Sequence, residues 1–313
     1  MMTTLVTLVA AGIAAATPAP IEITIPGPSG PLAGTLTPAG KGAPVVVIVP
    51  GSGPTDRNGD NPLGVTAGSY RLLAEALAAR DVSTVRIDKR GMFGSKAAVA
   101  DPNAVTIADY AADVRGWAIA AAKRTGNRCA WLLGHSEGGL VVLQAAQDAR
   151  GICGIILVSS PGSLLAAIMK AQFRANPANA PILAPALAAI DRLAAGQRVD
   201  PATLPAPLPM IFPAAVQGFM IDLFAQDPAA MAARVTVPML IVQGDRDIQV
   251  PVADAQALAK AAPRATLAIL PGVNHVLKTV ASDDRAANLA TYRDSSLPIA
   301  PAVPATIAAF VRC

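Results

Sequence analysis

The chain has 313 residues, enough for one large domain with a full core or for a core domain carrying an insertion. Its net charge is +4, with lysines and arginines scattered rather than clustered, which points away from nucleic acid as a partner. The hydrophobic fraction of 53% owes much to alanine. Beyond the amino terminus no run of about 18 apolar residues escapes a polar or proline interruption, so no internal transmembrane helix is indicated.

Leu5 to Ala16 is an apolar stretch of signal-peptide length, and Ala14-Ala15-Ala16 gives a small-x-small cleavage pattern before Thr17-Pro18, although a basic n-region is missing. Residues 1–16 therefore read as a signal peptide of a periplasmic or secreted chain, with an apolar arm on a cytoplasmic protein as the alternative. Ile21, Ile23 and Ile25 alternate with Glu22 and Thr24 as in an edge strand, and Leu32 to Leu36 returns antiparallel. Val45 to Val49 is an unbroken apolar run, as in a strand covered on both faces. It leads into Pro50-Gly51-Ser52-Gly53-Pro54-Thr55-Asp56-Arg57. A helix over 70–80 and a strand over 82–88 follow, the latter ending in Asp88-Lys89-Arg90-Gly91. Thr106 can cap a helix to about Arg124 with Ile107, Tyr110, Val114 and Trp117 on one face.

The stretch from Cys129 to Gly139 organises the rest. Ala130 to Leu133 is a short buried strand, Gly134-His135-Ser136-Glu137-Gly138 a sharp turn, and Leu140 to Arg150 a helix with Leu140, Leu143 and Ala146 as its stripe. A serine between two glycines at a strand-to-helix turn is a nucleophile elbow. A Cβ at Gly134 or Gly138 would collide with the neighbouring strand or helix, and the turn presents Ser136 Oγ at the amino end of a helix, which favours developing negative charge. Cys129 and Cys153 each open a predicted strand. They are either a disulfide across neighbouring strands, suited to an oxidising compartment, or two buried thiols.

A strand over 154–159 precedes a different pattern. From Ser160 to about Arg234, helical patches at 164–173, 182–195 and 216–224 are separated by prolines that forbid one long helix. Alternation resumes with a strand at 237–243, a helix at 253–261, a strand at 266–270 and a last helix near 303–311. These elements imply an α/β fold, a mostly parallel sheet with helices on both faces. Residues 17–159 and 235–313 form the two parts of the core, and 160–234 a helical lid at the carboxyl edge of the strands, where ligands bind.

A serine hydroxyl needs a base, and the base needs an orienting group. The chain has two histidines. His135 adjoins the nucleophile, and the elbow points neighbouring side chains apart. His275 follows the last predicted strand in Pro271-Gly272-Val273-Asn274-His275, where such an enzyme carries its base. Asp245 and Asp247 both follow the preceding strand. Asp247 is preferred for its longer reach into the loop, leaving Asp245 to shape it through backbone amides. The oxyanion of acyl transfer needs two amide donors. One is Glu137, just after the nucleophile. The other is Ser52, with Gly53 behind it, since Pro50 has no amide hydrogen.

Taken together, Gly51-Ser52-Gly53-Pro54-Thr55-Asp56-Arg57, Asp88-Lys89-Arg90-Gly91, Gly134-His135-Ser136-Glu137-Gly138-Gly139, Val237-Pro238 with Gly244-x-x-Asp247-x-x-Val250-Pro251, and Asn274-His275 resemble the α/β-hydrolase superfamily. Within it the chain is similar to bacterial serine carboxylesterases related to the serine-aminopeptidase-like (S33-type) hydrolases, over about residues 21–313 with gaps in the lid. The resemblance assigns the acid to Asp247 through Gly-x-x-Asp-x-x-Val-Pro; Pro50 departs from it, since many relatives carry histidine there. It implies an α/β-hydrolase fold and a cofactor-independent, metal-free serine esterase acting on small-molecule esters with short to medium acyl chains. Catalysis would fall to Ser136, Asp247 and His275, with Ser52 and Glu137 as the oxyanion hole. An aminopeptidase or acyltransferase using the same triad is the alternative, and a non-catalytic binding protein the more distant one. No stable membrane insertion is expected.

Overall fold

The computed structural model describes residues 19–312, so the segment read as a signal peptide and Cys313 lie outside the described residues. Eight strands form one sheet in the order β1-β2-β4-β3-β5-β6-β7-β8. They are β1 (Ile21–Pro26), β2 (Pro31–Thr37), β3 (Val45–Val49), β4 (Ser83–Ile87), β5 (Ala130–His135), β6 (Ile152–Val158), β7 (Met239–Gly244) and β8 (Thr266–Leu270). β2 runs antiparallel to β1 and β4, and every other neighbouring pair is parallel. Core helices are α1 (Ser69–Ala78), α2 (Ile107–Thr125) and α3 (Gly138–Ala145). The insertion supplies α4 (Leu165–Ala175), α5 (Leu183–Ala194), α6 (Leu208–Ile211), α7 (Gln217–Phe224) and α8 (Pro228–Ala233). After β7 come α9 (Val252–Ala261), α10 (Arg285–Ala290) and α11 (Ala302–Val311).

The unbroken apolar runs are explained by where alternate residues go. Val45, Val47 and Val49 face a core shared with α2 and α3, whereas Val46 and Ile48 face a second core shared with α1 and α11. Each central strand is thus buried on both sides, and a polar residue on either face would be stranded. Thr106 caps α2 as expected. Its hydroxyl accepts from the Asp109 amide while the Asp109 carboxylate accepts from the Thr106 amide, a reciprocal box that satisfies two orphan donors.

Between β6 and β7 the prolines cut the chain into short helices, the longest being the 12 residues of α5. Ile190, Leu193, Phe212 and Phe224 of this segment join the same core as α2. The helix after the elbow stops at Ala145 rather than reaching Arg150. The chain must reverse there to enter β6, which it does through a turn closed by Gly151 at φ 74°, a conformation only glycine adopts cheaply. Among the described residues no helix is long and apolar enough to cross a membrane.

Cys129 and Cys153 are bridged, with Cα atoms 5.3 Å apart. Ala130 pairs with Ile152 and Trp131 with Gly154, so Cys153 is the extra residue of a bulge where the β5–β6 register slips. The two cysteines are 24 residues apart, and loop-closure entropy assigns such a bridge about 3 kcal/mol. Urea unfolding of the Cys129→Ser/Cys153→Ser variant should show a loss of about that size, and mass analysis without reductant should find neither native cysteine alkylated.

Candidate active site

The elbow follows from sterics. Ser136 sits at φ 53°, a left-handed conformation that costs a non-glycine residue about 1–3 kcal/mol. A Cβ on Gly134 would lie 2.2 Å from the Gly138 carbonyl oxygen, and one on Gly138 would lie 2.5 Å from that of Val49. Both glycines are therefore obligatory, and the serine between them is pushed out at the carboxyl edge of the sheet, partly exposed.

His275 lies in the loop after β8. Its Nδ1 is 2.8 Å from Asp247 Oδ2. A carboxylate only accepts, so Nδ1 carries the hydrogen and Nε2 is left with its lone pair. The Asp247 side chain is fully buried and saturated: Oδ1 accepts from the Gln249 and Val250 amides at 2.8 and 2.9 Å, and Gln243 Nε2 donates to Oδ2 at 3.2 Å. Burial alone would raise this carboxyl, but the charge and hydrogen bond of His275 and the two amides outweigh it and hold the acid below the usual carboxylate range. Asp245 instead accepts from the Gly272 amide at 2.7 Å and shapes the loop, so of the two aspartates it is Asp247 that meets the histidine. Asn274 anchors that loop through Asn288, Thr291 and the Lys278 amide. No hydrogen bond joins Ser136 Oγ to His275 Nε2 among the described residues; such contacts in a free site commonly tighten only when substrate is bound.

His135 has a different task. Its Nε2 faces the His275 carbonyl oxygen at 2.8 Å, which requires a hydrogen on Nε2 and leaves Nδ1 to accept from Tyr70 Oη at 2.8 Å. Tyr70 Oη in turn accepts from the Gly51 amide at 3.1 Å. One chain of hydrogen bonds therefore ties the loop after β3, the elbow and the histidine loop together, with the two imidazole rings 4.7 Å apart. Burial, with the charge of His275 adding to it, pushes His135 down to about 3. An unfolded chain would titrate this histidine near 6.5, so below that pH the unfolded state binds a proton that the folded state refuses. Stability should therefore fall as pH drops from about 6.5 toward 3, the His135 share reaching about 2 kcal/mol at pH 5. Urea midpoints measured from pH 7 to 5 should fall less steeply for His135→Gln than for the native chain.

The loop after β3 presses on the elbow, since a Cβ on Gly51 would come within 3.2 Å of Ser136 Cβ. Ser52 is exposed. Neither its amide nor that of Glu137 meets an acceptor among the described residues. Arg57 does not pair with its neighbour Asp56 as a local ion pair would require. It bridges Glu22 at 2.6 Å and Asp88 at 3.2 Å, while Asp56 accepts from the Asn58 and Asp60 amides. The sequence alone gives Tyr70, Lys89 and Gln243 no role in the site, although Lys89 lies in the Asp88-Lys89-Arg90-Gly91 motif. Gln243 had a signal, a polar residue inside an otherwise apolar strand.

A model of the alpha/beta hydrolase family matches residues 46–290. Esterase EstD of Thermotoga maritima is 28% identical over 232 residues, across 74% of this chain and 50% of EstD, so the chain spans about half the length of that relative. Among solved structures, Est1E from Butyrivibrio proteoclasticus superposes with a TM-score of 0.57 at 20% identity, covering 93% of this chain and 99% of Est1E. The esterase domain of a Rhodothermus marinus protein gives a TM-score of 0.55 at 15% identity, covering 94% of this chain and 98% of that one. At these identities the structural likeness speaks for the fold.

Proposed function

The chain belongs to the alpha/beta hydrolase family, and we propose that it is a serine hydrolase cleaving carboxylic esters of short to medium acyl length through an acyl-enzyme. One observation carries this: a histidine whose Nδ1 is held by a buried aspartate, leaving Nε2 to accept a proton, stands in the loop tied to a strained serine elbow. Ser136 Oγ attacks the ester carbonyl as His275 Nε2 takes its proton, and Asp247 stabilises the resulting imidazolium. The carbonyl oxygen, now negative, is received by the Ser52 and Glu137 amides. His275 then gives its proton to the leaving alcohol, and water repeats the sequence to release the acid. The name of esterase EstD supports an ester as substrate.

An aminopeptidase would need an acidic group free to hold the substrate ammonium. The four aspartates of residues 160–234 are otherwise engaged. Asp191 pairs with Lys170, Asp222 accepts from the Ile107 amide, Asp200 caps a turn and Asp227 caps α8. The apolar character of this lid suits an acyl chain better. The disulfide suits an oxidising compartment, periplasmic or secreted. A fluorophosphonate probe should add covalently to the native chain, and p-nitrophenyl acetate should turn over far faster than proline p-nitroanilide. Added alcohol acceptors would expose an acyltransferase. A folded sample that takes no probe would favour a non-catalytic binding protein.

A further inference from the structure

Lys89 leaves β4 and Glu137 follows Ser136 after β5, and these two strands flank β3. The two side chains are each 2% exposed and meet at 3.0 Å. Lys89 Nζ makes a second bond, 2.7 Å to the carbonyl oxygen of Gly51. Its apolar side is closed by the Tyr110 ring, 5.3 Å away, which packs edge-on against Phe219 of α7. Desolvating an ion pair commonly costs as much as the pair returns, so its presence beside the elbow calls for a role other than stability.

The peptide geometry supplies one. A trans peptide points its C=O and N–H to opposite sides. Holding the Gly51 carbonyl toward the buried ammonium therefore turns the Ser52 N–H away from it, to the open side of the loop where Ser52 is exposed. The Gly51 amide is fixed separately by Tyr70, so the backbone is restrained on both sides of this residue. The second donor, the Glu137 amide, belongs to the residue whose carboxylate holds Lys89. We propose that Lys89 is a positioning residue of the oxyanion hole, its ammonium aligning both amide donors through the Gly51 carbonyl and the Glu137 carboxylate. It also polarises the Ser52 peptide, strengthening that N–H as a donor. The proposal rests on the assignment of the Ser52 and Glu137 amides made above.

Lys89→Met is the test, read on p-nitrophenyl acetate and on its thionoester, whose sulfur fits an oxyanion hole poorly. Deleting one donor costs about 10²–10³ in turnover, so misaligning the hole should lower kcat by about 10–100-fold with KM within about twofold. The native preference for oxygen over sulfur should shrink with it, a change that a merely structural residue would not cause. Lys89→Met leaves Glu137 unpaired, so Lys89→Met/Glu137→Gln is measured beside it. A folded variant with kcat within about threefold of native and an unchanged oxygen preference would overturn the proposal, as would a loss confined to KM. Failure of both variants to fold would assign the pair to folding instead, and also overturn it. The underlying serine-hydrolase assignment fails separately, if the native chain takes no fluorophosphonate.

Discussion

Ser136→Ala should abolish fluorophosphonate labelling and cut turnover of p-nitrophenyl acetate by about 10⁶-fold, down to what binding and the oxyanion hole retain over water. The loss should be chemical, not structural. Ser136 Oγ has no hydrogen-bond partner among the described residues, and alanine is no worse suited than serine to the φ of 53° that the flanking glycines impose. The variant should therefore unfold within about 1 kcal/mol of the native chain. Intact-mass measurement after labelling and steady-state turnover decide the matter. Probe still bound to the alanine variant would place the nucleophile elsewhere.

Asp247→Asn should lower kcat by about 10⁴-fold, for a reason legible in its partners. The Gln249 and Val250 amides both donate to Oδ1, so an asparagine must keep its oxygen there. Its NH₂ is then forced into the Oδ2 position, facing His275 Nδ1. Donating to Nδ1 puts the imidazole hydrogen on Nε2, and the ring can no longer accept the serine proton. The same NH₂ also confronts Gln243 Nε2, another donor, so some stability is lost as well. Asp245→Asn makes the control. Asp245 accepts from the Gly272 amide, an interaction that an asparagine oxygen preserves, and kcat should stay within about threefold. Comparable losses in both variants would undo the distinction between the two aspartates.

Much of this arrangement is legible in the sequence. The apolar run at 45–49 coincides with β3, because a strand buried on both faces admits few polar residues. The glycines around Ser136 and the ordering of Asp247 before His275 placed the elbow and its partners. The ends of α3 and the short helices α6 and α10 were not legible, since four to eight residues hold too little periodicity to compete with the tertiary need to turn. For α8 a signal existed in Asp227-Pro228, a cap followed by proline at the first helical position. The Tyr70–His135 chain and the Lys89–Glu137 pair stayed hidden for another reason. Each joins residues 48 or more positions apart, and nothing in local spacing says which charges or rings will share a cavity.

The cystine joins β5 and β6 at the edge of the sheet remote from Ser136. Shelf life and specific activity should consequently respond to different additives. A stock kept in dithiothreitol would be expected to spoil sooner on warming, yet its surviving molecules would work at full rate. A purification carried out under thiol would thus give the impression of a fragile catalyst when only its far hem had been unpicked.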